Sequence, residues 1–423
     1  MGSYQRRVVD DEVDVLLPEL PALCLNGPKA VGKTETSSRR AATVLRLDDP
    51  VQQQLLAADP GRILTMPQPV LLDEWQRVPA VWDVVRRAVD DGAAPGSFLL
   101  TGSASPHEAP THSGAGRIVS LRMRPLSLAE RGLDVPSVSL AGLLTGSRPL
   151  IDGSSAVGLP QYAEEVVRSG LPGLRGLSPR VRRSQLDSYL ARVIERDFPE
   201  QGHLVRRPAL LRGWLQAYAR ASATTASYTS ILDDALPGDT DKPAKTTTTA
   251  YRDVLSQLWL LDPVEAWLPR RGFGARLVSV PKHHLADPAF AARLLGLDDA
   301  ALLTGGEAAA ARGGGPLLGA LFESLVTLSL QTYAQAAEAA VHHLRTRNGD
   351  HEVDLLVVRD DGRVLAAEVK LSASVTDADV RHLLWLRDRL GADLLDAVVI
   401  TTGQHAYRRT DGVAVVPAAL LGP

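Results

Sequence analysis

Gly27-Pro28-Lys29-Ala30-Val31-Gly32-Lys33-Thr34 decides how this chain is read. The stretch satisfies G-x-x-x-x-G-K-[ST] at every constrained position, follows the apolar run Pro21–Asn26 and opens a helical segment. Glycine at 27 and 32 lets the backbone fold round a phosphate so that the N–H groups of Pro28's successors Lys29, Ala30 and Val31 point inward. Lys33 is placed to reach the β- and γ-phosphates as a point charge, and the Thr34 hydroxyl is a magnesium ligand. The helix that starts here aims the positive end of its dipole at the same anion. The expected ligands are ATP and Mg2+. A turn that matched by accident would lack the strand before it and the helix after it.

Working outward, four more apolar runs end in polar residues. Val44–Leu47 ends in Asp48-Asp49, Pro69–Leu72 in Asp73-Glu74, and Ser97–Leu100 in Thr101-Gly102-Ser103, and Arg117–Arg122 is the fifth run. Continuous apolar runs separated by helical stretches predict a parallel sheet with helices on both faces. Asp73, at a strand end, is the expected second magnesium ligand. Glu74 is expected to orient and polarise the attacking water. Ser103 is expected to hydrogen-bond the γ-phosphate or that water, the alternative being a turn serine. Arg117, after Gly114-Ala115-Gly116, would supply positive charge to the transition state in cis or from a neighbouring copy in a homo-oligomer; an ordinary surface arginine is the other reading. Trp75 is expected to pack beside the strand end.

At 423 residues the chain needs two or three cores. Its 45% hydrophobic and 22% charged content are those of a globular protein, and with only 4% aromatics the cores must rest on Leu, Val and Ala. A net charge of −3 does not argue for nucleic acid, but Val166–Arg220 holds eleven arginines against four acidic residues. Such a run either attracts DNA phosphates or is a solvated face. Cys24 is the single cysteine, which excludes an internal disulfide and a cysteine-built zinc site. The charged Met1–Asp14 has no signal-peptide core, and no run of about 18 uncharged apolar residues predicts a membrane span. The expectation is a cytoplasmic protein.

The fold class expected is α/β in three parts. Residues 1–135 form a P-loop NTPase domain with a parallel sheet. Residues 136–300 form a helical middle with helices at Ser184–Asp197, Ala209–Ala221, Ser227–Asp234 and Thr248–Leu258, the last two separated by the loop Pro237–Lys245. A hairpin of Val264–Leu268 and Ala275–Val280 would complete a winged helix-turn-helix. Residues 301–316 read as a linker, and 317–423 form an α/β domain. That domain starts with a helix at Leu317–Ala334, continues with strands at His342–Arg345, Glu352–Val358 and Val364–Leu371, and closes with a helix at Asp377–Leu390 and a strand at Ala397–Thr401.

Asp360-Asp361-Gly362 between two of these strands predicts a three-residue hairpin turn with glycine in the left-handed position. In that register Arg359 opposes Arg363, Asp354 faces Glu368 and Glu352 faces Lys370. Opposed residues share a face, about 5 Å apart at Cβ. Two carboxylates that close call for a cation or a proton, and a hard divalent cation suits oxygen ligands. Lys370, on the same face, would orient a water or offset phosphate charge. The alternative is a solvated face with a Glu352–Lys370 pair. The adjacent pairs His283-His284 and His342-His343 show no zinc spacing and are read as structural.

Together, the P-loop, Leu71-Leu72-Asp73-Glu74-Trp75-Gln76, Leu99–Ser103, Gly116–Val119 and Arg124–Glu130 resemble prokaryotic AAA-type ATPases that carry a C-terminal domain of unknown function. Tyr189–Asp197, Pro281-Lys282, Asp287-Pro288, Glu352-Val353-Asp354 and Glu368-Val369-Lys370 extend that resemblance over nearly the whole chain. Lys29 departs from the arginine frequent there. The Asp…Glu-x-Lys arrangement resembles restriction-endonuclease-like domains, in which Glu323 would be the acidic residue of the preceding helix. The resemblance implies a possible nuclease site of Glu323, Asp354, Glu368 and Lys370, either cleaving phosphodiesters with magnesium or retained for binding. The leading functional expectation is an ATPase whose hydrolysis repositions the other domains on DNA. The rival is an ATP-controlled protein-interaction switch with an inert C-terminal fold. A small-molecule kinase is a third class, against which the acidic pair and the long C-terminal half stand.

Overall fold

The computed structural model describes residues 4–103, 115–203, 207–235, 245–269, 277–304 and 314–423. Gly114, most of the loop Pro237–Lys245, the start of Ala275–Val280 and much of 301–316 lie outside them.

The first sheet contains β1 (Ala22–Asn26), β2 (Thr43–Arg46), β3 (Val70–Asp73), β4 (Phe98–Gly102) and β5 (Val119–Arg122) in the order β2-β3-β4-β1-β5, all parallel. Side chains alternate between faces along each strand. Ala22, Cys24, Val70, Leu72, Phe98 and Leu100 pack on one side with Trp75, Val81, Trp82 and Val85. Leu23, Leu25, Leu71, Leu99 and Leu121 pack on the other, in a cluster that continues without a break through Val9 and Val13 into the middle and C-terminal parts of the chain. Helices Lys33–Ser38, Pro50–Ala58 and Ala80–Asp90 connect the strands. Asp49 caps the second of these by accepting from the Val51 N–H, with Pro50 at the first helical position.

The middle is helical, with helices Pro179–Arg192, Pro208–Arg220, Tyr228–Ala235 and Lys245–Gln257. The first begins five residues before the expected Ser184, because Pro179 supplies a favourable first turn. It ends in a π-helical turn, Val193–Asp197, rather than continuing regularly. The expected wing is not a free hairpin. Leu261 and Val264 bridge Leu285 and Lys282 in antiparallel fashion, but Ala266 bridges His343 and Leu277 bridges Thr346. These segments are therefore seated on the edge of the C-terminal sheet.

A two-stranded sheet pairs β6 (Val138–Ser139) with the far-distant β13 (Leu421–Gly422). The C-terminal sheet is mixed and runs β11 (Tyr407–Arg408), β12 (Ala414–Pro417), β10 (Leu394–Thr401), β9 (Val364–Lys370), β8 (Glu352–Arg359), β7 (Ala339–Arg345). Helix Asp377–Leu390 covers one face through Val380, Leu383 and Leu386. Helix Gly314–Ala336 covers the other, where Leu355, Val357, Leu365 and Ala367 pack in the large shared cluster. Within this helix Leu317–Ala336 is long and apolar enough to cross a membrane, yet 78% of its apolar window is buried against the rest of the chain, so it is built as a core helix.

The β8–β9 register is the expected one: Leu355 opposes Ala367 and Val358 opposes Val364. The Arg359 N–H donates to the Arg363 carbonyl, and Gly362 sits at φ 85°, the left-handed value the turn requires.

Candidate active site

The P-loop leaves the C-terminal end of β1, between β4 and β5, so its phosphate-facing groups lie at the same sheet edge as the ends of β3 and β4. A Cβ at Gly27 would come within 2.1 Å of the Met123 carbonyl oxygen, so only glycine fits there. Ala30 at φ 65° and Gly32 at φ 106° turn the loop back on itself. Lys33 is buried, and its ammonium donates to the Gly27 and Pro28 carbonyls at 2.7 and 2.8 Å. Burial pulls its pKa down to about 8, with Glu74 and Asp73 opposing the shift. The Thr34 hydroxyl donates to Asp73 Oδ1 at 2.7 Å, and Thr101 donates to the same oxygen. Burial raises the Asp73 pKa. A hydroxyl and a carboxylate side by side at a P-loop are a hard-oxygen set that fits magnesium.

Glu74 occupies a left-handed backbone conformation, φ 58°, which swings its side chain back over the strand ends. Its Oε2 accepts from the Ser103 hydroxyl at 2.7 Å and from the Gln76 amide at 2.5 Å. Ser103 thus touches Glu74 itself. Trp75 is buried and stacked on Trp82, ring centroids 4.4 Å apart, as expected of a packing residue.

Arg117 stands elsewhere. It precedes β5, and its guanidinium donates to Asp90 at the end of the helix that leads into β4. Both positions belong to the N-terminal edge of a parallel sheet, a strand length of roughly 16 Å from the P-loop edge. No role on the phosphates of its own subunit is compatible with that placement. The basic groups near the P-loop are instead Lys29, Arg77, Arg192 and Arg196, which line a cleft of about 300 Å³ together with Asp48 and Asp197.

Two supports of the loop went unread in the sequence. Arg7, buried at the start of helix Val8–Leu16, donates to the carbonyls of Val31 and Arg124, both at 2.7 Å, and to Glu130 at 2.9 Å. Lys29 donates to buried Asp197 of the π-helical turn at 2.6 Å, which ties the P-loop to the helical middle. A second tie is Asp262, paired with Arg122 at 2.9 Å and Arg124 at 2.8 Å.

The C-terminal acidic residues do converge. The Val369 N–H donates to Asp354 at 3.0 Å, and Lys370 donates to Glu368 at 3.0 Å. Into the same group reaches Lys282, 1% exposed, with its nitrogen 2.8 Å from Glu323, 3.1 Å from Asp354 and 3.6 Å from Glu352. Burial pushes Glu323 up to about 7 and Glu368 well above the carboxylate range. Burial would raise Asp354 too, but Lys282 and Lys370 hold it down at about 2.

Residues 19–131, which carry the parallel sheet and the P-loop, match the AAA domain family. Residues 159–301 and 318–421 match two families each described as a domain of unknown function, DUF8612 and DUF4143. Over 412 residues the chain is 29% identical to the uncharacterized proteins Rv2008c of Mycobacterium tuberculosis and Mb2031c of Mycobacterium bovis, covering 95% of this chain and 81% of each relative. Among solved structures it is similar to the Walker-type ATPase PABY2304 of Pyrococcus abyssi, at 16% identity and a TM-score of 0.38, over 69% of this chain and 96% of that one. It is also similar to the ORC2 protein of Aeropyrum pernix, at 15% identity and a TM-score of 0.26, over 62% and 90%.

Proposed function

We propose that this protein hydrolyses ATP with magnesium. The observation that carries the reading is the carboxylate of Glu74, one residue beyond Asp73, held by Ser103 and Gln76 at the sheet edge that carries the P-loop. Lys33 and the loop N–H groups hold the phosphates, and Thr34 and Asp73 would hold the ion. Bound magnesium supplies charge neutralisation of the β- and γ-phosphates. Glu74 orients and polarises the water. The Glu74→Gln protein is expected to bind ATP as the wild type does and to lose turnover by about 10²–10⁴-fold. Unchanged turnover would remove Glu74 from the mechanism.

The Lys29–Asp197 pair supports a transmission role. A nucleotide that draws Lys29 toward its phosphates loosens the hold on the helical middle, so that the nucleotide state is passed to the rest of the chain. What receives the signal is a second question. Exposed Arg180, Arg183 and Arg212 in the basic run favour DNA as the partner. A DNA-binding isotherm at several salt concentrations, with and without ATP, tests this, because counterion release gives a steep negative slope of log K on log salt. Absence of any salt-dependent binding would favour a protein partner instead.

A further inference from the structure

The acidic group at the centre of the C-terminal domain does not fit a divalent cation. One oxygen of Glu323 and one of Asp354 already accept from an ammonium. Lys282 reaches Glu323 and Asp354 at 2.8 and 3.1 Å, with the Asp354 carbonyl at 3.5 Å. The two carboxylate contacts are N–H···O lengths, and the three N–H groups of a lysine face three oxygens. A metal at 2.0–2.6 Å from the same oxygens would collide with the ammonium and be repelled by its charge. Among the described residues no group of three or more His, Cys, Asp or Glu is arranged to hold a metal ion.

The lysine is also anchored where a mobile side chain would not be. Its own N–H donates to the Val264 carbonyl at 2.8 Å and its carbonyl accepts from the Val264 N–H at 2.9 Å. The residues beside it are fixed in turn. His283 pairs with the Ala226 carbonyl and His284 with the Ser324 hydroxyl, each across a gap of 2.8–2.9 Å, and His343 holds the Val280 carbonyl. Lys282 therefore enters from the middle of the chain on a rigid segment. The acidic partners it meets come from helix Gly314–Ala336 and from β8.

We infer that Lys282 is the resident cation of this pocket: its ammonium stands where a divalent metal would stand between Glu323 and Asp354, and the pocket is the socket that fastens the segment around Lys282 to the C-terminal domain. In this arrangement the domain binds no magnesium and cleaves no phosphodiester. The inference is independent of whether Glu74 drives hydrolysis.

The test is Mn2+ binding to the full chain without nucleotide, measured by the free-ion electron paramagnetic resonance signal. Wild type and Asp354→Asn should bind the same number of Mn2+ ions, since the socket contributes none. Lys282→Met should gain one bound Mn2+, and the gain should vanish in Lys282→Met with Asp354→Asn. A wild-type protein that loses one bound Mn2+ on Asp354→Asn, or on Glu323→Gln, would overturn the inference. Magnesium-dependent DNA cleavage by the wild type that disappears in Asp354→Ala with Glu368→Ala would overturn it as well. If Lys282→Met does not fold, the comparison of wild type with Asp354→Asn still decides the matter.

Discussion

Glu74 shows what a single residue needs in order to act. A carboxylate at a strand end is common, but here a left-handed backbone turns it back, and two donors fix one of its oxygens. Removing either donor frees the carboxylate to rotate. Ser103→Ala and Gln76→Ala are each expected to lower kcat by about tenfold with KM for ATP little changed, read by steady-state phosphate release. The position of Ser103 at the end of the next strand was legible in the sequence, but its contact with Glu74 was not. Nor was Gln76, because the turn that brings it onto Glu74 depends on a backbone angle that no side chain announces. Lys282 was opaque for a different reason. Its partners lie 41 and 72 residues away, and no local periodicity links them. Arg117 was left open between a role in cis, a role toward a neighbouring copy and a surface arginine, because a glycine-rich approach looks the same at either edge of a sheet, and it pairs with Asp90.

At the scale of elements, the parallel strands and the β8–β9 hairpin were legible because their signals are local. Apolar runs of four or five residues and a glycine at the left-handed turn position fix them. The pair β6–β13, which exists only through long-range pairing, the two-residue β11 with its partner β12, and the seating of Ala266 and Leu277 at the β7 edge were not. That seating carries a pH signature. His284 and His343 are buried as neutral rings, their pKa values pushed down to about 3 and about 4 chiefly by burial. Each binds its proton more readily unfolded than folded. Their contribution is complete above pH 6.5 and is lost as the pH falls from there toward 4 and 3. Denaturant titrations at pH 7 and pH 5 should differ by about 2 kcal/mol for each histidine, and His343→Gln should shrink the difference. The Asp262 junction is a second element-scale device. Burial opposes its charge, but Arg122 and Arg124 overcome this and lower its pKa. Asp262→Asn leaves two guanidinium groups facing a neutral amide and is expected to cost about 3 kcal/mol in thermal or denaturant unfolding.

For the whole molecule, the decisive feature is that the two faces of the first sheet are treated differently. One is covered by the sheet's own helices; the other belongs to a cluster that includes residues from Val9 to Leu421. The Leu128 and Ala129 N–H groups are satisfied by Ser329 and Tyr333 of helix Gly314–Ala336, and Arg124 reaches Gln335 of the same helix. Residues 1–135 expressed alone should therefore expose apolar surface and self-associate on size-exclusion chromatography, whereas the full chain should not. A domain plan read from composition separates these parts at a linker, since composition reports what a segment is made of and is blind to what it packs against.

That lopsided sheet also sets a schedule for synthesis. The segment Leu128–Arg131 leaves the ribosome about 200 residues before helix Gly314–Ala336, which satisfies its Leu128 and Ala129 N–H groups, follows. At 5–20 residues per second the nascent chain carries an unfinished greasy surface for roughly 10–40 s. During that interval the Leu128 and Ala129 N–H groups are without their Ser329 and Tyr333 partners, and the unfinished side is open to non-specific association.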